Sequence, residues 1–255
     1  MAFTSARNIL DIKEKTHFKH ENTRIDKYTL ADKLPQQLSE LTIRPAYSIR
    51  RITNSDREKV LDFLGRFFFR DEPLNIAVNL LDGPEDRCYE LEDYVSASLS
   101  DGVSVAAVDD DDEFVGVVVN GIARREEFST EDKSVSCPNP KFQRILKVLG
   151  HLEREARIWD KLPLSCHTAL EVRIVSTHSE WRGKGLMKAL CEESERIARE
   201  IGADALRMDT TSAFSAAAAE RLKYKKIYEV PYADLPYAPL PEPPHYDAKV
   251  YIKEI

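Results

Sequence analysis

The segment EVRIVSTHSEWRGKGLMKAL, residues 171–190, constrains the fold more than any other stretch of this chain. Its β-branched start is suited to a strand. A short connection leads into Arg-Gly-Lys-Gly, and the residues from 185 to 202 repeat their apolar positions at helical spacing and stop at Gly202. ADALRMDTT then returns as a strand. This strand-helix-strand unit over 169–209 requires a local parallel pairing inside a sheet. Gly183 and Gly185 allow close backbone approach and unusual dihedrals. Free amides and the positive end of the new helix attract an anion, and Arg182 and Lys184 add charge, so a pyrophosphate suits the turn. An ordinary turn with glycines for steric reasons is the plainer reading of R-G-x-G alone. Two nucleotide-binding patterns fail on spacing: Lys184 is not followed by Ser or Thr, and Ala189 falls at the wrong interval for G-x-G-x-x-G.

The remaining elements arrange themselves around this unit. Residues 1–45 are polar, charged and weakly periodic, and read as an extension, mobile or loosely packed, ahead of a domain over 46–255. YSIRRIT (47–53) reads as a strand. NSDREKVLDFLGRFFF reads as a helix capped by Asn54 or Ser55, ended or turned at Pro73. A helix is expected around 87–99. GVSVAAVD and EFVGVVVNGI flank the acidic run DDDDE (109–113) and read as a hairpin. Residues 141–162 read as one helix, SAFSAAAAERLK as another, and KKIYEVPYADL and YDAKVYIKEI as closing strands around a Pro-rich loop. The fold class is α/β (α+β), with a mixed, mostly antiparallel central sheet flanked by helices.

The turn resembles motif A of the GNAT superfamily of N-acetyltransferases, whose R/Q-x-x-G-x-G/A segment binds the pyrophosphate of acetyl-CoA. Arg182, Gly183, Lys184, Gly185, Leu186 and Met187 fill the six positions. Met187 departs from the pattern, since the last position is usually small; a methionine there narrows the turn or lies against the cofactor. The resemblance implies a GNAT fold from residue 47 onward, with acetyl-CoA as co-substrate. It also implies that the strand carrying Ile174, Val175 and Ser176 splays from its neighbour and offers backbone groups to the pantetheine arm. Trp181 is expected to cover the cofactor loop.

A second stretch, FFFRDEPLN (67–75), sets two carboxylates and a proline directly after three phenylalanines. It resembles the FF-K/R-DEPL signature of insect-type arylalkylamine, or dopamine, N-acetyltransferases. RIVS…WRGKG, SAFSA…ERL at 212–222 and the terminal PPHYDAKVYIKEI agree with the same family in the same order. The resemblance implies that Glu72 is the catalytic base. A primary alkylamine with a pKa of about 10 arrives protonated and must lose a proton before its nitrogen attacks a thioester. A carboxylate among apolar neighbours, here Phe67, Phe68 and Phe69, has its pKa raised toward neutrality and becomes a better base. Asp71 is read as scaffold, capping or pairing with Arg70 or Arg66.

Many GNAT members carry a tyrosine acid on the helix after the fifth strand; Ala219 stands there in this chain. Insect-type members carry two hydroxyls four residues apart instead, which places Thr211 and Ser215 in that role, with Thr211 replacing the family's serine. Helix capping by Ser212 or Thr211 and packing of Ser215 are the plainer readings. A thiol with a pKa near about 8.5 leaves as thiolate without an acid. Phe68, Tyr232 and His245 are weaker candidates for the amine site; for His245 a structural role in its loop is the plainer reading.

Together these imply an acetyl-CoA-dependent arylalkylamine N-acetyltransferase working by direct transfer in a ternary complex, the oxyanion held by strand amides. Same-fold acyltransferases using longer acyl-CoA, or polyamine or protein acceptors, stay open. So does a non-catalytic acyl-CoA-binding regulator. A net charge of −7 gives no indication of nucleic-acid or anionic-membrane binding, and no window approaches a membrane span. Four scattered cysteines show no C-x-x-C spacing, so no metal is expected; with no leader pattern at the amino terminus, a cytoplasmic monomer is the expectation.

Overall fold

The computed structural model describes residues 46–129 and 131–255. The expected extension over 1–45 lies outside the described residues. In chain order the elements are β1 (Ser48–Arg51), α1 (Arg57–Phe67), α2 (Pro73–Ala77), α3 (Tyr89–Leu99), β2 (Val105–Val108) and β3 (Phe114–Arg124). There follow α4 (Pro140–Ala156), α5 (Ile158–Lys161), β4 (Thr168–Thr177), α6 (Leu186–Glu200), β5 (Ala205–Thr210), α7 (Ala213–Arg221), β6 (Lys225–Pro231) and β7 (Asp247–Glu254). The strands form one seven-stranded sheet in the order β1-β2-β3-β4-β5-β7-β6. Every neighbouring pair is antiparallel except β4–β5, the pair joined through α6. This is the mixed, mostly antiparallel sheet flanked by helices that the sequence leads one to expect.

Alternation along the strands fills two cores, one on each face. Ala106, Val108, Val117 and Val119 point to the side covered by α1, α3 and α4, where Val60, Leu64, Val95 and Leu152 meet them. Val105, Ala107, Val115 and Val118 point to the side covered by α6 and α7, with Leu186, Leu190 and Ile197. Each buried Val, Leu or Ile among them stabilises the fold by about 1.5–3 kcal/mol relative to exposure.

Two element boundaries differ from expectation. The cap of the first helix is neither Asn54 nor Ser55. The Asp56 carboxylate accepts hydrogen bonds from the Thr53 amide and hydroxyl, both at 2.8 Å, and a short 3-10 turn at Asn54–Asp56 precedes α1. The single helix expected over 141–162 is broken at Arg157, which takes left-handed φ 46° and separates α4 from α5. Ala156, Ile158 and Trp159 are all buried. Positions 156 and 158 lie about 200° apart on a straight helix and would not share one buried stripe, so the chain changes direction there.

Strand β4 supplies the feature that makes a site. It pairs with β3 from Thr168 to Thr177, but with β5 only over Ala169–Val172, opposite Ala205–Met208. Beyond that rung the two strands diverge and leave a crevice. A register shift marks the divergence: Val119 faces Ile174 and Asn120 faces Val172, so Arg173 is the extra residue of a bulge.

Candidate active site

Glu72 owes its position to the proline that follows it. The amides of Asp71 and Glu72 close onto the Phe68 carbonyl at 3.0 and 2.9 Å, ending the first helical run. Pro73 then starts α2 at a position where its missing N–H costs nothing. Glu72 becomes the N-cap of α2: its Oε2 accepts from the Asn75 amide at 2.8 Å, while the Asn75 side chain donates to the Phe69 carbonyl at 3.1 Å. The other oxygen, Oε1, accepts from the Thr211 hydroxyl at 2.8 Å. Glu72 is 9 % exposed. Burial raises its pKa to about 7, against the lowering effect of these hydrogen bonds.

The partner hydroxyl comes from the end of β5. Ser212, not Thr211, caps α7: its hydroxyl accepts from the Ser215 amide at 3.0 Å, and Ser215 Oγ donates to the Ser212 carbonyl at 3.0 Å. Ser215 is thus spent inside a reciprocal cap and Thr211 faces Glu72, so the two hydroxyls expected to act as a pair are divided between different tasks. Tyr232 is 1 % exposed and donates to the Thr211 carbonyl at 2.8 Å. It lies beneath Thr211 rather than on an open pocket wall. His245 accepts from the Ala213 amide through Nδ1 at 3.1 Å, closing the start of α7. Phe68 is partly buried against the first core, edge-on to Phe69.

Across the crevice, the turn after β4 has the geometry its glycines allow. Gly183 and Gly185 have φ 74° and 82°, the left-handed region that a side chain strains to enter. Gly185 heads α6 with no side-chain cap, so the first amides of that 15-residue helix are bare. Leu186 is buried and Met187 packs against the second core instead of narrowing the turn. Lys184 Nζ lies 5.4 Å from the centre of the Trp181 ring, and the Tyr47 ring meets it edge-on with centres 5.8 Å apart. Ile174 is buried in the first core and Val175 packs on the second, which leaves their backbone groups on the β5 side without a strand partner. Ser176 donates to the Phe67 carbonyl at 3.0 Å, tying β4 to the end of α1.

Asp71 pairs with neither Arg70 nor Arg66. Arg70 donates to the carbonyls of Gly83 and Pro84, and Arg66 pairs with Asp62. Asp71 meets Arg182 of the turn at 2.5 Å, so the signature holding the carboxylate and the turn holding the glycines are linked. Nothing in local spacing signals a contact over 111 positions. Asn75 is a site residue that the sequence patterns above do not single out, although an acceptor three residues before it at a helix start is a readable signal. Two surface depressions of about 300 and 290 Å3 are lined by residues around Asn139 and along α1 respectively; neither includes Glu72.

Residues 67–223 match the acetyltransferase (GNAT) family. Among solved structures, arylalkylamine N-acetyltransferase 2 from Aedes aegypti is similar at 30% identity and TM-score 0.77, covering 83% of this chain and 100% of that one. The polyamine N-acetyltransferase of Drosophila melanogaster, at 21% identity and TM-score 0.72, covers 82% of this chain and 100% of its own, and shares the fold. A bulged, splayed strand, a glycine turn at a bare helix start and a buried carboxylate beside the crevice are thus found on a chain that belongs to the GNAT family of acetyltransferases, which are acyltransferase enzymes.

Proposed function

We propose that this enzyme transfers the acetyl group of acetyl-CoA to the primary amine of an arylalkylamine such as dopamine, serotonin, tyramine, octopamine or tryptamine, with Glu72 as general base. The observation that carries the reading is Glu72 itself: a buried carboxylate beside the crevice, with a pKa of about 7 set by burial and both oxygens oriented by donors. A base matched to neutral pH takes a proton from a protonated amine far more readily than a solvated carboxylate does. Among the described residues Oε2 accepts from the Asn75 amide and Oε1 from the Thr211 hydroxyl; a carboxylate has about four lone-pair sites, so capacity remains for an amine or a bridging water.

The turn fits the anionic part of acetyl-CoA. Bare amides at the start of α6, two left-handed glycines and the cations of Arg182 and Lys184 suit a pyrophosphate. The β5-facing edge of β4 from Arg173 onward offers backbone donors and acceptors to an extended arm. Acetyl-CoA supplies the thioester; the chain's own residues orient the amine, hold the proton on Glu72 and exclude water. Thr211 keeps Glu72 in place and stabilises its ionised form.

A screen of arylalkylamines, aliphatic amines and peptides against acetyl-, butyryl- and palmitoyl-CoA, read as thiol release, tests the assignment. Turnover of arylalkylamines with acetyl-CoA is the expected result. Tight CoA binding with no transfer to any of these amines would refute it.

A further inference from the structure

Large apolar side chains left exposed gather around the Glu72–Thr211 pair. Ile76 stands one turn past Glu72 on α2, its amide donating to the Glu72 carbonyl at 3.0 Å. Phe214 stands three positions past Thr211, in the first turn of α7. Tyr246 is the third: its carbonyl accepts from the Tyr232 amide at 3.0 Å, and the Tyr232 hydroxyl donates to the Thr211 carbonyl at 2.8 Å. A lone exposed apolar residue is ordinary, whereas several on segments that meet at one site mark a place where apolar groups of a ligand dock.

Phe214 is the best defined of the three. It is 68% exposed, and α7 packs through Ala216, Ala218 and Ala219 instead. Phenylalanine is also a poorer helix former than the alanine that fills most of this helix. Neither core packing nor helix propensity accounts for a ring at this position, yet the ring is held. It meets the His245 imidazole edge to face, with centres 5.2 Å apart and planes at 78°. His245 is itself fixed twice: its Nδ1 accepts from the Ala213 amide at 3.1 Å, and its own amide donates to the Glu242 carbonyl at 3.2 Å. A clasped aromatic ring with most of its surface in water is a prepared binding face, because its ordering entropy is lost before a ligand arrives.

Sheet order separates this ring from the cofactor turn. Strand β5 lies between β4 and β7. The glycine turn follows β4, whereas His245 comes just before β7, so the clasp on Phe214 arrives from the opposite side of β5. The reach is also right. Three residues span at most about 10 Å, so the Phe214 backbone is no farther than that from Thr211, whose hydroxyl bonds Glu72. The phenyl group of a phenethylamine, two carbons from the nitrogen that meets Glu72, and the Phe214 side chain extending from its backbone together cover a gap of that size.

We infer that Phe214, clasped by His245, is the surface on which the aryl ring of the amine packs, and that it sets a preference for aromatic over saturated tails. The inference rests on the proposed function. Glu72 takes the proton from the amine head, Phe214 holds the tail in the edge-to-face or offset arrangement that aromatic pairs prefer, and His245 positions Phe214. A saturated tail gains burial at the same place but lacks the ring-to-ring contribution.

Phenethylamine and cyclohexylethylamine carry tails of the same carbon count, one aromatic and one saturated. In the wild-type enzyme kcat/KM for the aromatic amine is expected to exceed that for the saturated one by about two- to tenfold, the worth of an aromatic pair beyond its buried area. Phe214→Leu, which keeps apolar bulk but not the ring, should bring that ratio toward one by raising the KM for phenethylamine and not that for acetyl-CoA; Phe214→Tyr keeps the ring and should keep the ratio. Thermal melting establishes that each variant is folded, as expected for a side chain so exposed. A ratio near one in the wild type overturns the inference, as does a preference that survives Phe214→Leu, and so does a rise in the KM for acetyl-CoA that is the same with both amines, which would give the ring to the cofactor. In each of those cases transfer to phenethylamine leaves the proposed function standing. No transfer to either amine, with CoA bound, overturns both.

Discussion

Two helix starts in this protein, those of α2 and α6, solve the same problem in opposite ways. Both leave backbone amides without intrahelical partners. At α2 the residue in the capping position is Glu72, whose carboxylate folds back onto the Asn75 amide inside the protein. At α6 the capping position is Gly185, which has no side chain to offer and stands at the surface. The first start is occupied by its own anion, which burial makes a base; the second stays bare and suits an anion brought by a ligand. A glutamate or a glycine at one position, buried or exposed, therefore separates a proton acceptor from a phosphate cradle.

The largest expected effect breaks the first start. Glu72→Gln should lower kcat/KM for an amine by about 10²–10⁴-fold while CoA still binds, measured by steady-state kinetics and calorimetry. In the wild type kcat/KM rises with pH through about 7, because the base works only when deprotonated and its folded pKa lies there. The variant loses that limb. Stability moves the other way. A carboxyl whose folded pKa is raised from 4.5 to about 7 contributes stability fully present below 4.5 and lost as pH rises through about 7. Glu72→Gln should therefore narrow any stability gap to the wild type, or reverse it, above pH 7, as read from denaturation midpoints at two pH values.

The second start is broken by Gly185→Ala. A side chain at φ 82° costs about 1–2 kcal/mol and should raise the KM for acetyl-CoA more than that for the amine. A smaller effect sharpens the contrast between the two hydroxyls. Thr211→Val removes a donor that holds the Glu72 pKa down, so the limb near pH 7 should move to higher pH. Ser215→Ala instead removes the N3 hydroxyl of the capping box while Ser212 still caps α7, so it should cost less than the ~1 kcal/mol of losing the N-cap itself, seen as a slightly lower melting temperature with the limb unmoved. The smallest effect belongs to the bridge between the two regions: Asp71 and Arg182 are each about half exposed, so Asp71→Asn should cost less than about 1 kcal/mol of stability. Melting curves at low and high salt should show that difference shrinking as salt rises.

Much of this architecture is legible in the amino-acid sequence. The strand-turn-helix at 171–202, its parallel return strand and the hairpin around DDDDE are local patterns whose residues specify their own geometry. Pro73 is legible as a break but not as the first residue of a new helix, because proline is compatible with both and the packing of Leu74 decides. The reversal at Arg157 has no glycine or proline to announce it. It follows from Ala156 and Ile158 both needing the core although they lie on opposite sides of a straight helix.

The order of elements, the glycine turn and the presence of a carboxylate after an apolar run are set along the chain, since each rests on residues a few positions apart. What those residues do to one another is set by tertiary packing. Thr211 reaches Glu72 over 139 positions, Arg182 takes Asp71 away from its neighbouring arginines, and Arg207 gathers Glu153, Glu171 and Asp209 beneath them. Burial and pairing are properties of three-dimensional neighbourhoods, and they set the pKa of a carboxylate and the freedom of a hydroxyl. Periodicity along the chain states which face a residue occupies, and the packing of the other elements states what stands opposite.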